Sequence, residues 1–256
     1  MKRVALLCVA ILFLAAPAAR PIDIEEFAKG ETLDYDLVWL RVVGGDMRMT
    51  ISANGPDRLR ITSVAASAPS FARIYKVRDE IESNVLRDSF TTVSYEKTLN
   101  ENGKQKEDDT VIDPVTRNAT RKKGSKDKSF HINSEPPYVD PLSIVYRLRM
   151  LDLTPGTVHN FTIYADGNVY EMTATVRKSR ETIRTAAGTF DCVSVEPKMR
   201  GKGGLFRDDD SRLIFWYTDN NLHVPVRIRS ELKFGSITAT LRAVHGGVTS
   251  TEPNAK

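Results

Sequence analysis

TLDYDLVWLRVVGGDMRMTISA, residues 32–53, decides the fold class. Leu33, Tyr35, Leu37 and Trp39 alternate with Asp34 and Asp36, so one face is apolar and the other wet. That two-residue period belongs to a strand, not a helix. After Gly44-Gly45, Met47, Met49 and Ile51 alternate with Asp46, Arg48 and Thr50, and the whole stretch reads as a β-hairpin.

Working outward, the same rhythm continues. Asn54-Gly55-Pro56 marks a turn before Leu59, Ile61 and Val64. Val77, Asp79, Ile81 and Ser83 follow a short stretch, Phe71 to Tyr75, that reads as helical. Asn102-Gly103 between residues 91–99 and 106–113, and Asp166-Gly167 between 158–165 and 168–176, are strong hairpin signals. Further strands are expected at 181–185 and 190–196, then at 212–218, 225–234 and 236–243. A single main helix is expected over 140–151, with Asp140 as its cap and Pro141 at its first position. Arg147 and Arg149 fall on its wet side and suit its C-terminal dipole. The fold class is therefore all-β with one main helix, a curved antiparallel sheet forming an open barrel or half-barrel.

The first eighteen residues set the compartment. Lys2 and Arg3 precede an apolar run, Val4 to Ala16, and Ala16-Pro17-Ala18 offers a small-x-small cleavage pattern. The run is too short to span a bilayer, which takes about 20 residues. The organisation expected is a signal peptide at 1–18, a lead-in at 19–30, one β-rich domain at 31–243 and a flexible tail at 244–256, in a periplasmic or secreted protein. At 41% hydrophobic and 27% charged residues the chain can bury a core. Loss of Lys2 and Arg3 with the leader takes 37 basic residues to 35 against 33 acidic ones, which gives no reason to expect nucleic acid as a partner.

Catalytic and metal patterns are weak. His131, His159, His223 and His245 are scattered, and no H-E-x-x-H occurs. Asp208-Asp209-Asp210 lacks the spaced ligands of a calcium loop, and Gly201-Lys202-Gly203-Gly204 lacks the residues of a phosphate loop. Cys192 is left without a partner once Cys8 departs, and it reads as core. No catalytic residue, metal or cofactor is assigned.

Asp140-Pro141-Leu142-Ser143, Ala187-Gly188-Thr189-Phe190-Asp191-Cys192, and Phe215-Trp216-Tyr217-Thr218-Asp219 followed by Val224-Pro225-Val226-Arg227-Ile228 stand in this order along the chain. Together they resemble a bacterial family of exported proteins known as domain of unknown function 3108. The likeness runs from Glu31 to Leu241. It implies an all-β fold with a helix and a periplasmic setting, and it carries no catalytic residue. By analogy of shape alone, the chain is also similar to periplasmic lipoprotein carriers, whose curved sheet wraps a greasy ligand.

The function expected is that of a cell-envelope protein that binds an apolar or amphipathic ligand, such as a lipid, or a partner protein, without catalysis. Tyr35, Trp39, Phe190, Phe215 and Tyr217 are the candidate ligand-binding residues. The basic run Arg117 to Lys128 offers at most peripheral membrane contact, through Arg121, Lys122 and Lys123. Two alternatives stand beside this reading. One is a hydrolase of an envelope polymer that uses a carboxylate pair drawn from Asp34, Asp36 and Asp79. The other is a structural subunit of an envelope complex.

Overall fold

The computed structural model describes residues 22–39, 42–200, 212–232 and 235–247. The expected signal peptide, the Gly201–Gly204 and Asp208–Asp210 stretches and the end of the tail lie outside these residues.

The alternating stretches form strands and join in one sheet. The first meander comprises β1 (Glu31–Trp39), β2 (Val42–Ala53), β3 (Arg58–Ser67) and β4 (Val77–Leu86). It continues through β5 (Thr92–Glu101), β6 (Lys104–Ile112), β7 (Asn118–Lys123) and β8 (Lys126–His131). After β9 (Tyr138–Val139) and a helix comes β10 (Val158–Ala165), then β11 (Asn168–Thr185) and β12 (Gly188–Arg200). The second meander ends with β13 (Arg212–Thr218), β14 (Pro225–Leu232) and β15 (Gly235–Gly246). β1 pairs with β15, so the two meanders form a single 15-stranded sheet whose edges are β8 and β9. All neighbours are antiparallel except β9, which runs parallel to β10 through two residue pairs.

The sheet is open, as expected, and it curls until its edges meet through side chains. Phe130 of β8 stacks on Tyr164 of β10 at 5.6 Å between ring centres. Thr110 Oγ1 of β6 lies 2.6 Å from the Tyr164 hydroxyl. Lys97 of β5 reaches Asp166 in the β10–β11 turn at 2.6 Å. No ladder of backbone hydrogen bonds joins β8 to β9 or β10.

Inside the curl lies helix α2 (Ser143–Arg149). Ile144, Val145, Tyr146, Leu148 and Arg149 are all buried and only Arg147 is half-buried, so the helix belongs to the interior. Asp140 anchors its start. One carboxylate oxygen accepts the N–H groups of Leu142 and Ser143, and the other accepts the hydroxyls of Ser83 and Thr92 at 2.5 and 2.7 Å. Arg149 anchors its end with a two-pronged bond to Glu31 of β1, at 2.5 and 2.9 Å, and donates a third to the carbonyl of Leu222. A short helix α1 (Ile24–Ala28), capped by Asp23, seats Phe27 edge-on against Tyr146.

Several expectations are corrected. Arg149 is not on a wet side but fully buried, because Glu31 supplies the opposite charge from within the sheet. The helix is shorter than 140–151: Pro141-Leu142 form a turn, and only Ser143–Arg149 are helical. The first hairpin turns between Trp39 and Val42, which puts Gly44-Gly45 inside β2. A Cβ on Gly45 would meet the Ala66 carbonyl at 2.2 Å, so glycine there allows β3 to lie close. Residues 71–75 make tight turns instead of a helix. Residues 168–176 and 181–185 belong to one strand, with an irregularity between Val176 and Arg180. The lead-in expected at 19–30 contains α1, and β15 extends into the expected tail as far as Gly246.

Removing one partner of a buried ion pair leaves the other charge uncompensated, at a cost of about 3–5 kcal/mol. Arg149→Ala and Glu31→Ala should each lower unfolding free energy in urea by about that amount. The double variant Arg149→Met/Glu31→Leu should recover most of the loss. A double variant as unstable as the two single losses added together would show that the pair itself is not the source.

Candidate binding site

The two ends of the curl differ, and the difference follows from where the interior filling sits. At one end α1, α2 and the loop after β13 close the space, as Phe27 packs on Tyr146 and Arg149 holds the Leu222 carbonyl. At the other end the strands reverse through hairpin turns at 102–103, 124–125 and 166–167 and through the 68–76 loop. No helix lies there among the described residues.

Burial along the inner face falls toward that second end. Leu33 and Tyr35 are fully buried, whereas Leu37, next on the same face, is half-buried. Met49 gives way to half-buried Met47 in β2, and Ser83 to half-buried Ile81 in β4. Phe215 and Val226 give way to Leu213 and Ile228 in β13 and β14, again half-buried. Cross-strand pairing places these on one face: Leu37 opposite Ala239, Ala239 opposite Ile228, and Ile228 opposite Phe215. The result is an apolar mouth.

Across β5 to β7 the inner face turns polar. Lys97 pairs in register with Asp108, and Thr110 with Arg121. Arg121 clasps the Asp108 carboxylate, its Nε donating at 2.6 Å. Lys97 and Asp166 form the neighbouring pair; burial works against the Asp166 charge, but the Lys97 hydrogen bond together with the charges of Lys97, Arg121 and Lys123 holds its carboxyl below the usual range. The mouth is therefore amphipathic: oily along β1, β2, β4, β13 and β14, charged along β5 to β7.

The five aromatic candidates divide. Tyr35, Phe215 and Tyr217 come together on the inner face, deep beside α2. Tyr35 donates to the Pro225 carbonyl at 2.8 Å and Tyr217 to the Val145 carbonyl at 3.0 Å, while Phe215 lies 6.1 Å from the Tyr217 ring. Burial pushes both tyrosine hydroxyls well above their ordinary range. Trp39 lies apart at the rim, edge-on to Phe71 and 38% exposed. Phe190 is half-buried at the far end of the β11–β12 hairpin, opposite Ile183.

Concave space also exists along the seam between the sheet edges. A groove of about 430 Å³ lies among Lys128, Phe130, His131, Asn168 and Tyr170. A second, of about 260 Å³, lies among Val139, Arg147, Leu151, His159 and Phe161.

Chemical groups elsewhere are occupied. Asp34 is bonded by Arg48 and Asp36 by Arg242, while Asp79 accepts the Asn100 N–H on the inner side. Asp34 and Asp36 lie on the face of β1 opposite Tyr35, so these three carboxylates do not converge. No group of three potential metal ligands occurs among the described residues. Of the basic run, Arg121 is turned inward onto Asp108, while Lys122, Lys123, Lys126 and Lys128 stay exposed.

The model of a family described as "Protein of unknown function (DUF3108)" matches residues 32–242. A β-barrel-like protein of domain of unknown function DUF1849 from Brucella abortus is similar in structure, with a TM-score of 0.52 at 10% identity, covering 87% of this chain and 99% of that one. The hypothetical protein CT021 from Chlamydia trachomatis aligns at a TM-score of 0.38 and 6% identity, over 88% and 92% of the two chains. No curated protein matches the sequence. Among the described residues no helix is long and apolar enough to cross a membrane.

Burial pushes the Cys192 thiol up to about 12. Its thiolate fraction at pH 8 is then about one in ten thousand. Iodoacetamide at pH 8 should leave Cys192 unlabelled in the folded protein and label it fully in urea, as read by peptide mass mapping. Rapid labelling in the folded state would contradict this burial.

Proposed function

The chain belongs to the DUF3108 family, and from its amphipathic mouth we propose that it is a non-catalytic cell-envelope protein that binds an amphipathic ligand with a long apolar part. The observation that carries this reading is the gradient of burial along the inner face. Tyr35, Phe215 and Tyr217 make a closed floor, and Leu37, Met47, Ile81, Leu213 and Ile228 remain half-exposed above it. Apolar side chains left half-exposed together on the inner face of a curled sheet, rather than scattered over the outside, favour a binding role there. The ligand's apolar part rests against this wall, and its polar head faces Lys97, Arg121 and their carboxylate partners. Those pairs present charge without an unpaired ion, so a head group is recognised by exchange of hydrogen bonds and not by neutralisation.

Export to the envelope agrees with the leader-like residues 1–18. Absence of convergent carboxylates at Asp34, Asp36 and Asp79 favours binding over hydrolysis as the role of this mouth.

The test uses cis-parinaric acid, whose fluorescence rises in an apolar site. The full chain should bind it saturably, and Met47→Glu/Ile228→Glu should weaken binding about tenfold or more, since each carboxylate interrupts the apolar wall. Both positions are half-exposed, so the melting temperature should change little. Binding that is non-saturable, or equal in the double variant, would overturn the reading.

A further inference from the structure

The exposed surface around the mouth carries a second feature, independent of whether the mouth holds a ligand. At the end of the curl where the hairpins reverse, large apolar side chains point outward together. Trp39 sits opposite Val42 in the β1–β2 register and opposite Ile237 in the β1–β15 register. Val42 and Val43 are 58% and 55% exposed, and Ile237 is 42% exposed. Phe71, against the Trp39 ring, carries the 68–76 loop to the same place, where Ile74 is 77% exposed and Tyr75 41%. The turn is fixed by the Phe71 carbonyl, which accepts the N–H groups of Ile74 and Tyr75.

Cations surround this apolar tip and continue along the same end. Arg73 and Lys76 flank Ile74 and Tyr75, and both are exposed. The β5–β6 turn adds Lys104 and Lys106, and the β7–β8 turn adds Lys122, Lys123, Lys126 and Lys128, all exposed. Acidic side chains are interspersed with them. Glu101 lies 3.8 Å from Lys106 and Asp108 3.8 Å from Lys123, Asp109 stands opposite Lys122 in the β6–β7 register, and Asp46, Glu107 and Asp127 are exposed. Toward the opposite end, among the described residues, the exposed large apolar side chains are valines without an aromatic ring: Val111 at 60%, Val115 at 87% beside Asp113 and Thr116, and Val158 at 54%.

We propose that the hairpin-tip end of the curled sheet docks on an anionic lipid bilayer surface, with Trp39, Val42, Val43, Ile74, Tyr75 and Ile237 entering the interface. Lysines of the β5–β6 and β7–β8 turns lie over the head groups. A protein partner would be matched by shape and hydrogen bonds; here the apolar groups, two of them aromatic, sit on turns and strand ends around the mouth, and exposed lysines crowd the neighbouring turns. Both features suit a bilayer, where Trp and Tyr favour the water–lipid boundary and each basic residue near an anionic surface adds attraction. Docking would set the mouth against the membrane, which gives an amphipathic ligand a short route in either direction.

The experiment is sedimentation of the full chain with vesicles of phosphatidylcholine containing about 30 mol% phosphatidylglycerol, against vesicles of phosphatidylcholine alone; such a surface attracts exposed lysines within a Debye length of about 8 Å at physiological salt. Binding is expected to the anionic vesicles, weakened about tenfold or more on raising salt from about 0.05 to about 0.5 M. Lys122→Glu/Lys126→Glu should weaken it about tenfold or more, as should Val42→Ser/Ile74→Ser. Val115→Ser, at the opposite end, should leave it unchanged. These side chains are exposed, and thermal melting verifies that each variant is folded. The fluorescence of Trp39 should shift to the blue on docking, while buried Trp216 contributes a constant background. Equal sedimentation with both vesicle types, no sedimentation with either, or an equal loss in Val115→Ser would overturn the proposal. Loss of docking with cis-parinaric acid binding intact would leave the ligand reading standing, and the converse would leave the docking surface standing.

Discussion

The bond between Arg149 and Glu31 is the constraint on which the interior depends. A sheet of fifteen strands that curls until its edges touch encloses more space than its own side chains fill. Helix α2 fills it, and Arg149 fixes where the helix stops. Its guanidinium is fully buried, bonded to both Glu31 oxygens and to the Leu222 carbonyl, and lies 5.1 Å over the Phe27 ring. One side chain thus ties together β1, α1, α2 and the loop after β13. A hydrophobic residue of equal size could pack there, but it would leave the Glu31 carboxylate and the Leu222 carbonyl without the donors that Arg149 supplies.

Asp140 supplies the second fixed point. Its carboxylate accepts two N–H groups at the helix entrance and the hydroxyls of Ser83 and Thr92 from β4 and β5. With every acceptor direction used, the buried charge is compensated by donors and not by a cation. Asp140 is held from β4 and β5, and Arg149 from the central strand β1 and the loop after β13, so together they fix the position of the helix across the sheet. From this follows the uneven interior: the helix closes one end, and the strands run past it at the other.

Much of the strand pattern was legible because turns demand particular residues. Asn102, Gly103, Asp166 and Gly167 all adopt positive φ, which few residues other than Asn, Asp and Gly tolerate. Period-two alternation then located the flanking strands. The burial of Arg149 was not legible from the helix alone, where an arginine at the C-terminus ordinarily faces water. A signal did exist in β1: Glu31 falls in phase with Leu33, Tyr35 and Leu37, so the parity that buries them buries it too. Lys97 in phase with Tyr95, and Asp108 in phase with Thr110 and Ile112, are the same kind of signal for the charged inner wall. Trp39 keeps that parity, in phase with Leu37 through the β1–β15 register, but it is the last residue of β1 and so lies exposed at the rim. Grouping Tyr35, Phe215 and Tyr217 required only alternation; separating Trp39 and Phe190 from them required knowing where the strands end.

Why the curl stays open is a question of its edges, and the answer bears on function. β8 and β9 are successive in the chain, yet Pro136 and Pro137 lie between them and donate no N–H to a ladder. β9 contributes only two residues, and β8 carries Lys126 and Lys128, whose charges oppose stacking against another edge. Side chains, not backbone bonds, therefore close the seam: the Phe130–Tyr164 stack and the Lys97–Asp166 pair. Such contacts can part without unzipping a ladder, so the wall nearest the charged half of the mouth is the one with the lowest cost of opening. The lysines that guard this edge are also those that face a membrane in the proposed docking, so one set of charges keeps the sheet from pairing with a neighbour and aims its open end.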